Sequence, residues 1–179
     1  MILNLKQLLK PALLLLPLLT IGCVGTPPGV TPVQQFDVDR YLGRWYEIAR
    51  LDHSFERGLE RVTADYRLEP DGSISVTNRG YSKKLEKWKE ATGRALFVEN
   101  PAEAHLKVSF FGPFYSSYVV FELDETNYQY AFVSGPNTKY LWLLARTPTV
   151  DEALKNKFTS KAAELGFAVD TLIWVEHQP

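Results

Sequence analysis

LKVSFFGPFYSSYVVFELDETNYQYAFVSGPNTKYLWLLAR, residues 106–146, is the stretch that decides the fold. It holds four apolar, aromatic-rich runs separated by turn residues. Gly112-Pro113 divides 106–111 from 118–123, residues 124–127 precede 128–134, and Gly135-Pro136-Asn137 precedes 140–145. The runs are short and rich in β-branched and aromatic residues, which suit a pleated, half-buried surface. The breaks carry Gly, Pro, Asn and Asp, the residues that make tight turns. The stretch therefore reads as antiparallel strands joined locally.

The same punctuation continues upstream. Asn100-Pro101 ends the run 94–98, and Asp71-Gly72 separates Tyr66-Arg67-Leu68 from Ile74-Ser75-Val76 as a hairpin turn. With the run from Trp45, eight strands are expected between Gly43 and Arg146. Eight strands in a meander, closed on themselves, leave room for one small ligand. Downstream the period changes. Leu154, Phe158, Ala162 and Leu165 recur at near-helical spacing. Thr149 and Glu152 suit a capping box, and Gly166 suits the stop, so a helix is expected over about 150–165. A short last strand is expected around 171–175. The fold class is all-β: an eight-stranded antiparallel up-and-down barrel, one C-terminal α-helix packed outside, and a short final strand.

The amino end differs. Lys6 and Lys10 precede an apolar run over 12–21 that ends at Gly22-Cys23. A basic start, a short apolar centre and a small residue before the cut describe an export signal. The run is too short for a membrane span, which needs about 20 residues. Thr20-Ile21-Gly22-Cys23 resembles the lipobox of bacterial lipoproteins, with Thr20 where Leu is usual. The resemblance implies a signal peptide over 1–22 and acyl chains on Cys23, the sole cysteine. Val24 in place of Asp after that Cys implies the outer membrane, with the folded domain facing the periplasm. Pro27, Pro28, Pro32, Gly25 and Gly29 make 23–35 read as a flexible tether. The folded domain then spans 36–179.

The order of elements and several local motifs resemble the lipocalin family. Gly43-Arg44-Trp45-Tyr46 is similar to its Gly-x-Trp signature, and Arg146 falls where members pack an Arg across that Trp. The segments 40–50, 55–59, 107–115 and 140–148 are similar to the bacterial outer-membrane members of the apolipoprotein D-like subfamily. The resemblance implies a store or carrier for fatty acids or lysophospholipids, a role in membrane maintenance under stress, and a homodimer. Gly43, Trp45 and Arg146 would close the narrow end, the guanidinium stacking on indole.

Side chains alternate in and out along a strand. Matched to the lipocalin pattern, Tyr140, Trp142 and Leu144 point inward on the eighth strand, and Tyr128, Tyr130 and Phe132 on the seventh. Tyr118 and Val120 do so on the sixth, and Val108 and Phe110 on the fifth. These would form an aromatic, apolar lumen able to take an acyl chain. Glu47 shares the parity of Trp45, which puts a carboxylate near the lumen unless a bulge or the rim leaves it solvated; the solvated position is the expectation. His53, Glu56, Arg57, Glu60 and Arg61 lie in a loop over the open end and read as solvated charge.

Lys and Arg total 20 against 21 Asp and Glu, which leaves no electrostatic footprint for nucleic acid. The histidines, His53, His105 and His177, show no metal-binding spacing, and there is no nucleophile elbow or phosphate-binding loop. No metal, cofactor or catalytic activity is expected. The expected partners are a hydrophobic small molecule and a membrane, the latter through the lipid anchor. The alternative is an envelope interaction lipoprotein with a filled barrel. A third reading is an enzyme acting on a lipid or a haem-like ligand.

Overall fold

The computed structural model describes residues 24–177. The signal segment 1–22 and the lipidation candidate Cys23 lie outside the described residues. Nine strands run in chain order: β1 (Gly43–Arg50), β2 (Leu59–Leu68), β3 (Ile74–Ser82), β4 (Lys87–Phe97), β5 (His105–Phe111), β6 (Phe114–Leu123), β7 (Tyr130–Ser134), β8 (Leu141–Ala145) and β9 (Ile173–Trp174). A short α1 (Val38–Tyr41) precedes β1, and α2 (Glu152–Glu164) follows β8.

Each of the first seven strands pairs with the next, and β8 pairs back onto β1, which closes the barrel. β2 follows β1 from Gly43↔Tyr66 to Tyr46↔Thr63 and then parts from it. The C-terminal segment fills that gap. Arg50 pairs with Ile173, Val175 N–H donates to the Ile48 carbonyl (2.9 Å), and Arg61 N–H donates to the Glu176 carbonyl (3.2 Å). The expected hairpin forms between β2 and β3. Gly72 sits at φ +79°, where a Cβ would be strained, and the Glu69 amide donates to the Ser73 carbonyl at 2.8 Å.

Two apolar cores result from the alternation. The inner one takes residues from every barrel strand, among them Trp45, Tyr66, Val76, Ala95, Leu106, Val120, Val133 and Leu144. The outer one lies between the barrel wall and α2, where Phe158 meets the Phe132 ring at 5.0 Å. The helix is capped by Asp151, whose carboxylate accepts the Leu154 amide at 2.8 Å. The Thr149–Glu152 box expected from the sequence does not form, because the helix starts at Glu152 with Asp151 as its cap, and Glu152 pairs with Lys155 at 2.7 Å. Gly166 provides the left-handed stop at φ +79°.

Two further expectations are corrected. Residues 27–35 are not a free tether. Pro27 and Val30 are buried, the Val33 amide donates to the Val120 carbonyl, and the Ala104 amide donates to the Val33 carbonyl, both at 2.9 Å. Tyr130 and Phe132 face outward under α2, while Ala131 and Val133 take the lumen side. The cause is Tyr128, which sits just before β7 at φ +55°. Its ring does join the inner core. The left-handed residue breaks the alternation, so a parity carried across it inverts.

Candidate functional site

The closed end is built on Trp45. Arg146 lies over its ring with the guanidinium carbon 3.9 Å from the centroid, and the Trp45 Nε1–H donates to the Tyr41 carbonyl at 2.8 Å. Arg146 spends its own donors on the carbonyls of Arg40 (2.7 Å), Arg44 (2.9 Å) and Tyr128 (3.3 Å). Gly43, at φ +90°, lets the chain enter β1 beneath that guanidinium; an added Cβ would lie 3.6 Å from Arg146 Nη1. Above the plug the Tyr118 hydroxyl bonds those of Tyr41 (2.7 Å) and Tyr66 (2.8 Å). Burial pushes all three phenols upward, so they stay neutral. The hollow among them, lined also by Val108 and Leu106, offers about 10 Å³ to the centre of a water, room for about one molecule.

The open end lies where β1, β3, β5 and β7 finish. Phe111 and Phe114, 80% and 75% exposed, form the tip of the β5–β6 hairpin there, and Phe55 in the β1–β2 loop is 57% exposed. Phe110 and Trp142 pack against the inner core from this side. Tyr140 stacks on Trp142, with ring centroids 6.3 Å apart. The structure thus brings Tyr118, Val108, Phe110, Trp142 and Tyr140 to the lumen or its mouth, and removes Tyr130 and Phe132 from it.

The mouth also holds a group of charges that the sequence reading left in solvent. A bulge does occur in β1, but after Glu47, between the pairings Glu47↔Leu144 and Ala49↔Leu143. It turns Glu47 and Arg50 both inward. Glu47 is only 3% exposed, and its Oε1 accepts from Arg50 Nη1 at 2.6 Å. Arg50 Nη2 donates to the carbonyls of Glu56 (3.3 Å) and Leu59 (3.0 Å), which draws the loop down into the mouth. Glu56 is consequently buried and accepts the Trp142 Nε1–H at 3.2 Å. His53 follows it, 6% exposed and stacked under Phe55 at 4.0 Å. Its Nε2 is 3.2 Å from Glu56 Oε2 but out of line for a hydrogen bond, and neither ring nitrogen has a partner. Arg57 remains in solvent, paired with Asp52 at 2.7 Å. Glu60 and Arg61 are half-buried at the rim, Glu60 paired with Lys83 at 2.7 Å and Arg61 over the Tyr81 ring.

Burial, then the charge of Glu56, pushes the Glu47 carboxyl well above the usual range, and burial raises Glu56 as well. Burial, then the neighbouring Arg50, lowers His53 to about 4, so its imidazole is neutral. No group of three or more metal-ligating side chains occurs among the described residues.

A closed eight-stranded barrel with a stacked plug at one end and a polar, aromatic mouth at the other defines a small-molecule-binding barrel. Residues 36–177 match the lipocalin-like domain, and the chain belongs to the lipocalin family. It is 60% identical over 166 residues to the outer membrane lipoprotein Blc of Vibrio cholerae, covering 93% of this chain and 97% of that one. It is 51% identical over 160 residues to Blc of Escherichia coli K12, covering 88% and 90%. Apolipoprotein D of Bos taurus is 33% identical over 158 residues, covering 77% and 80%. Among solved structures, insecticyanin from the tobacco hornworm Manduca sexta shares the fold, with a TM-score of 0.69 at 20% identity over 86% of this chain and 87% of that one.

Proposed function

We propose that this protein is a lipid-binding lipoprotein, anchored to the outer membrane through Cys23, that holds a single-chain lipid in its lumen and does no chemistry on it. The ligand class is a fatty acid or lysophospholipid, stored or carried for membrane maintenance under stress. Tyr140, Trp142, Phe110, Val108 and Tyr118 contact the ligand in this reading. The observation that carries it is the mouth itself. Trp142 and Tyr140 stack there beside a buried polar group, so one place offers apolar wall and head-group partners together. The names of the bacterial relatives support the outer-membrane anchor. No helix of the described residues is long and apolar enough to cross a membrane. A homodimer belongs to the same proposal and is tested by sedimentation of the lipid-free protein.

The test is a titration of the delipidated protein beginning at Val24 with a lysophospholipid and with a free fatty acid, read by intrinsic Trp fluorescence. Saturable one-to-one binding at micromolar lipid, altered in Trp142→Phe, is the expected result. The tightly filled closed half favours the alternative, an interaction lipoprotein with a filled barrel. Failure to saturate below the micelle concentration establishes that alternative.

A further inference from the structure

The two ends of the barrel differ in charge and in what they expose. The segments that form the closed end, 37–40, 65–71, 99–103, 124–125 and 146–152, hold eleven acidic side chains against three basic. Those of the open end, 51–61, 79–90 and 135–140, hold eight basic against five acidic, and the β5–β6 tip, 110–116, holds neither. The basic end is also the apolar one. Phe55, Leu85, Trp88, Phe111 and Phe114 are exposed there; of the other exposed large apolar side chains among the described residues, Leu68 lies at the closed end and Trp174 beside α2. Trp88 is flanked by cations. The Arg79 guanidinium lies 4.3 Å and that of Arg61 5.1 Å from its ring centroid, and Arg61 lies 4.4 Å from that of Tyr81. Neither Arg pairs with a carboxylate among the described residues. Stacking leaves the edge N–H groups of a guanidinium open to an anion. Apolar tips among Lys and Arg are the composition that seats a protein in the interface of an anionic bilayer.

The packed lead points the same way. Pro27 is buried, and Val30 lies in the outer core with Phe121 and Phe167. Four residues, about 14 Å at full extension, separate Pro27 from Cys23. With Cys23 acylated as proposed above, the barrel cannot stand off the bilayer and rests a face on it. From Phe121, β6 runs about 24 Å to Phe114, which brings the hairpin tip to the same surface. We infer that the open end docks on an anionic phospholipid bilayer, with Phe55, Phe111 and Phe114 in the interface and Arg61, Arg79 and the lysines of 83–89 on lipid phosphates. Only the reach of the anchor rests on the Cys23 reading. The docking surface belongs to the folded domain and acts without acyl chains. In the lumen-binding reading, the mouth then opens on the layer that supplies or receives the lipid.

The experiment uses the protein from Val24 onward, which contains both cores and every strand of the barrel and lacks the anchor. Flotation with vesicles of phosphatidylcholine alone, and of phosphatidylcholine mixed with phosphatidylglycerol, measures partitioning. The protein is expected to bind the anionic vesicles about tenfold or more tightly than the neutral ones, and to leave them at high salt. Phe111→Ser with Phe114→Ser should weaken the binding by about tenfold or more. Lys84→Gln with Lys87→Gln should weaken it by about fivefold for each charge removed. These four side chains are exposed, so urea unfolding of both variants should match that of the unaltered protein. Filling of the lumen does not confuse the readout, because a lipid drawn out of the bilayer leaves with the protein and does not float it. No binding of the unaltered protein to anionic vesicles, or no preference for them over neutral ones, overturns the inference and leaves the lumen reading to its own titration. Unchanged flotation of both variants overturns it as well. Unchanged flotation with a shift from dimer to monomer in the phenylalanine variant assigns the tips to a second copy of this chain, which also overturns it.

Discussion

The two halves of the lumen are built from opposite materials. In the closed half, aromatic rings fill the space and their polar atoms find partners within the protein: Trp45 on Tyr41, Arg146 on three carbonyls, three phenols on one another. In the open half, charges are buried and several polar atoms, Arg50 Nε and both His53 nitrogens, find none. Buried polar groups without partners cost stability, whereas closed networks and packed rings supply it. The contrast separates a part of the barrel that holds the fold from the part that the proposed function assigns to the ligand.

The largest expected effect is at the plug. Trp45→Ala removes a fully buried indole and the platform of Arg146, and should cost about 5 kcal/mol, the upper end for a large aromatic. Urea unfolding of the pure protein measures it. A loss below about 1 kcal/mol would remove the claim that the closed half holds the fold. Next comes Arg50→Met, expected to cost about 3–5 kcal/mol because the buried Glu47 and Glu56 carboxyls lose the positive charge of Arg50 beside them. Adding Glu47→Gln and Glu56→Gln to it should recover a good part. If the triple variant unfolds as easily as the single, packing rather than charge governs the open half.

His53 sharpens the contrast through pH. Its folded value near 4 lies below the ordinary 6.5, so the unfolded chain binds a proton that the folded chain refuses. That refusal stabilises nothing at low pH and favours folding above the window. Stability from this group therefore falls as pH drops from about 6.5 to 4. Glu47 and Glu56 act with the opposite sign, since their raised values penalise folding as pH rises through the acid range. His105 and His177 are lowered too, so the difference between the unaltered protein and His53→Gln isolates His53. That difference should grow with rising pH across the window. An NMR titration giving the imidazole a midpoint near 6.5 would instead put His53 in water.

How much of this was legible in the sequence follows the same division. The meander and its closure were readable because turn residues and two-residue alternation are local signals, and Trp45 and Arg146 carried their own signature. The register of β7 was lost at Tyr128, since one left-handed residue is invisible to a parity count. The packed lead was lost because Pro and Gly read alike in a free tether and in a strand laid on a wall; Val30, Val33 and Phe36, three residues apart, were the available hint of burial. Glu47 was within reach, as it shares the parity of Trp45, but the position of the bulge decides its fate. Glu56 and His53 were out of reach: they are buried because Arg50 pulls two distant carbonyls inward, a tertiary effect.

The smallest predicted effect probes the closed half from within. Tyr118 is the hub of the three phenols, and Tyr41 is one terminus. Tyr118→Phe keeps the ring but strands two buried hydroxyls, while Tyr41→Phe breaks one bond and leaves Tyr118 joined to Tyr66. The hub should cost about 2 kcal/mol and the terminus about 1. Equal losses, measured by the same urea unfolding, would mean that a water replaces the missing hydroxyl. The hollow beside these rings has room for about one. In that case the closed half is as adaptable as the open one, and the division between a holding half and a binding half fails at its tighter end.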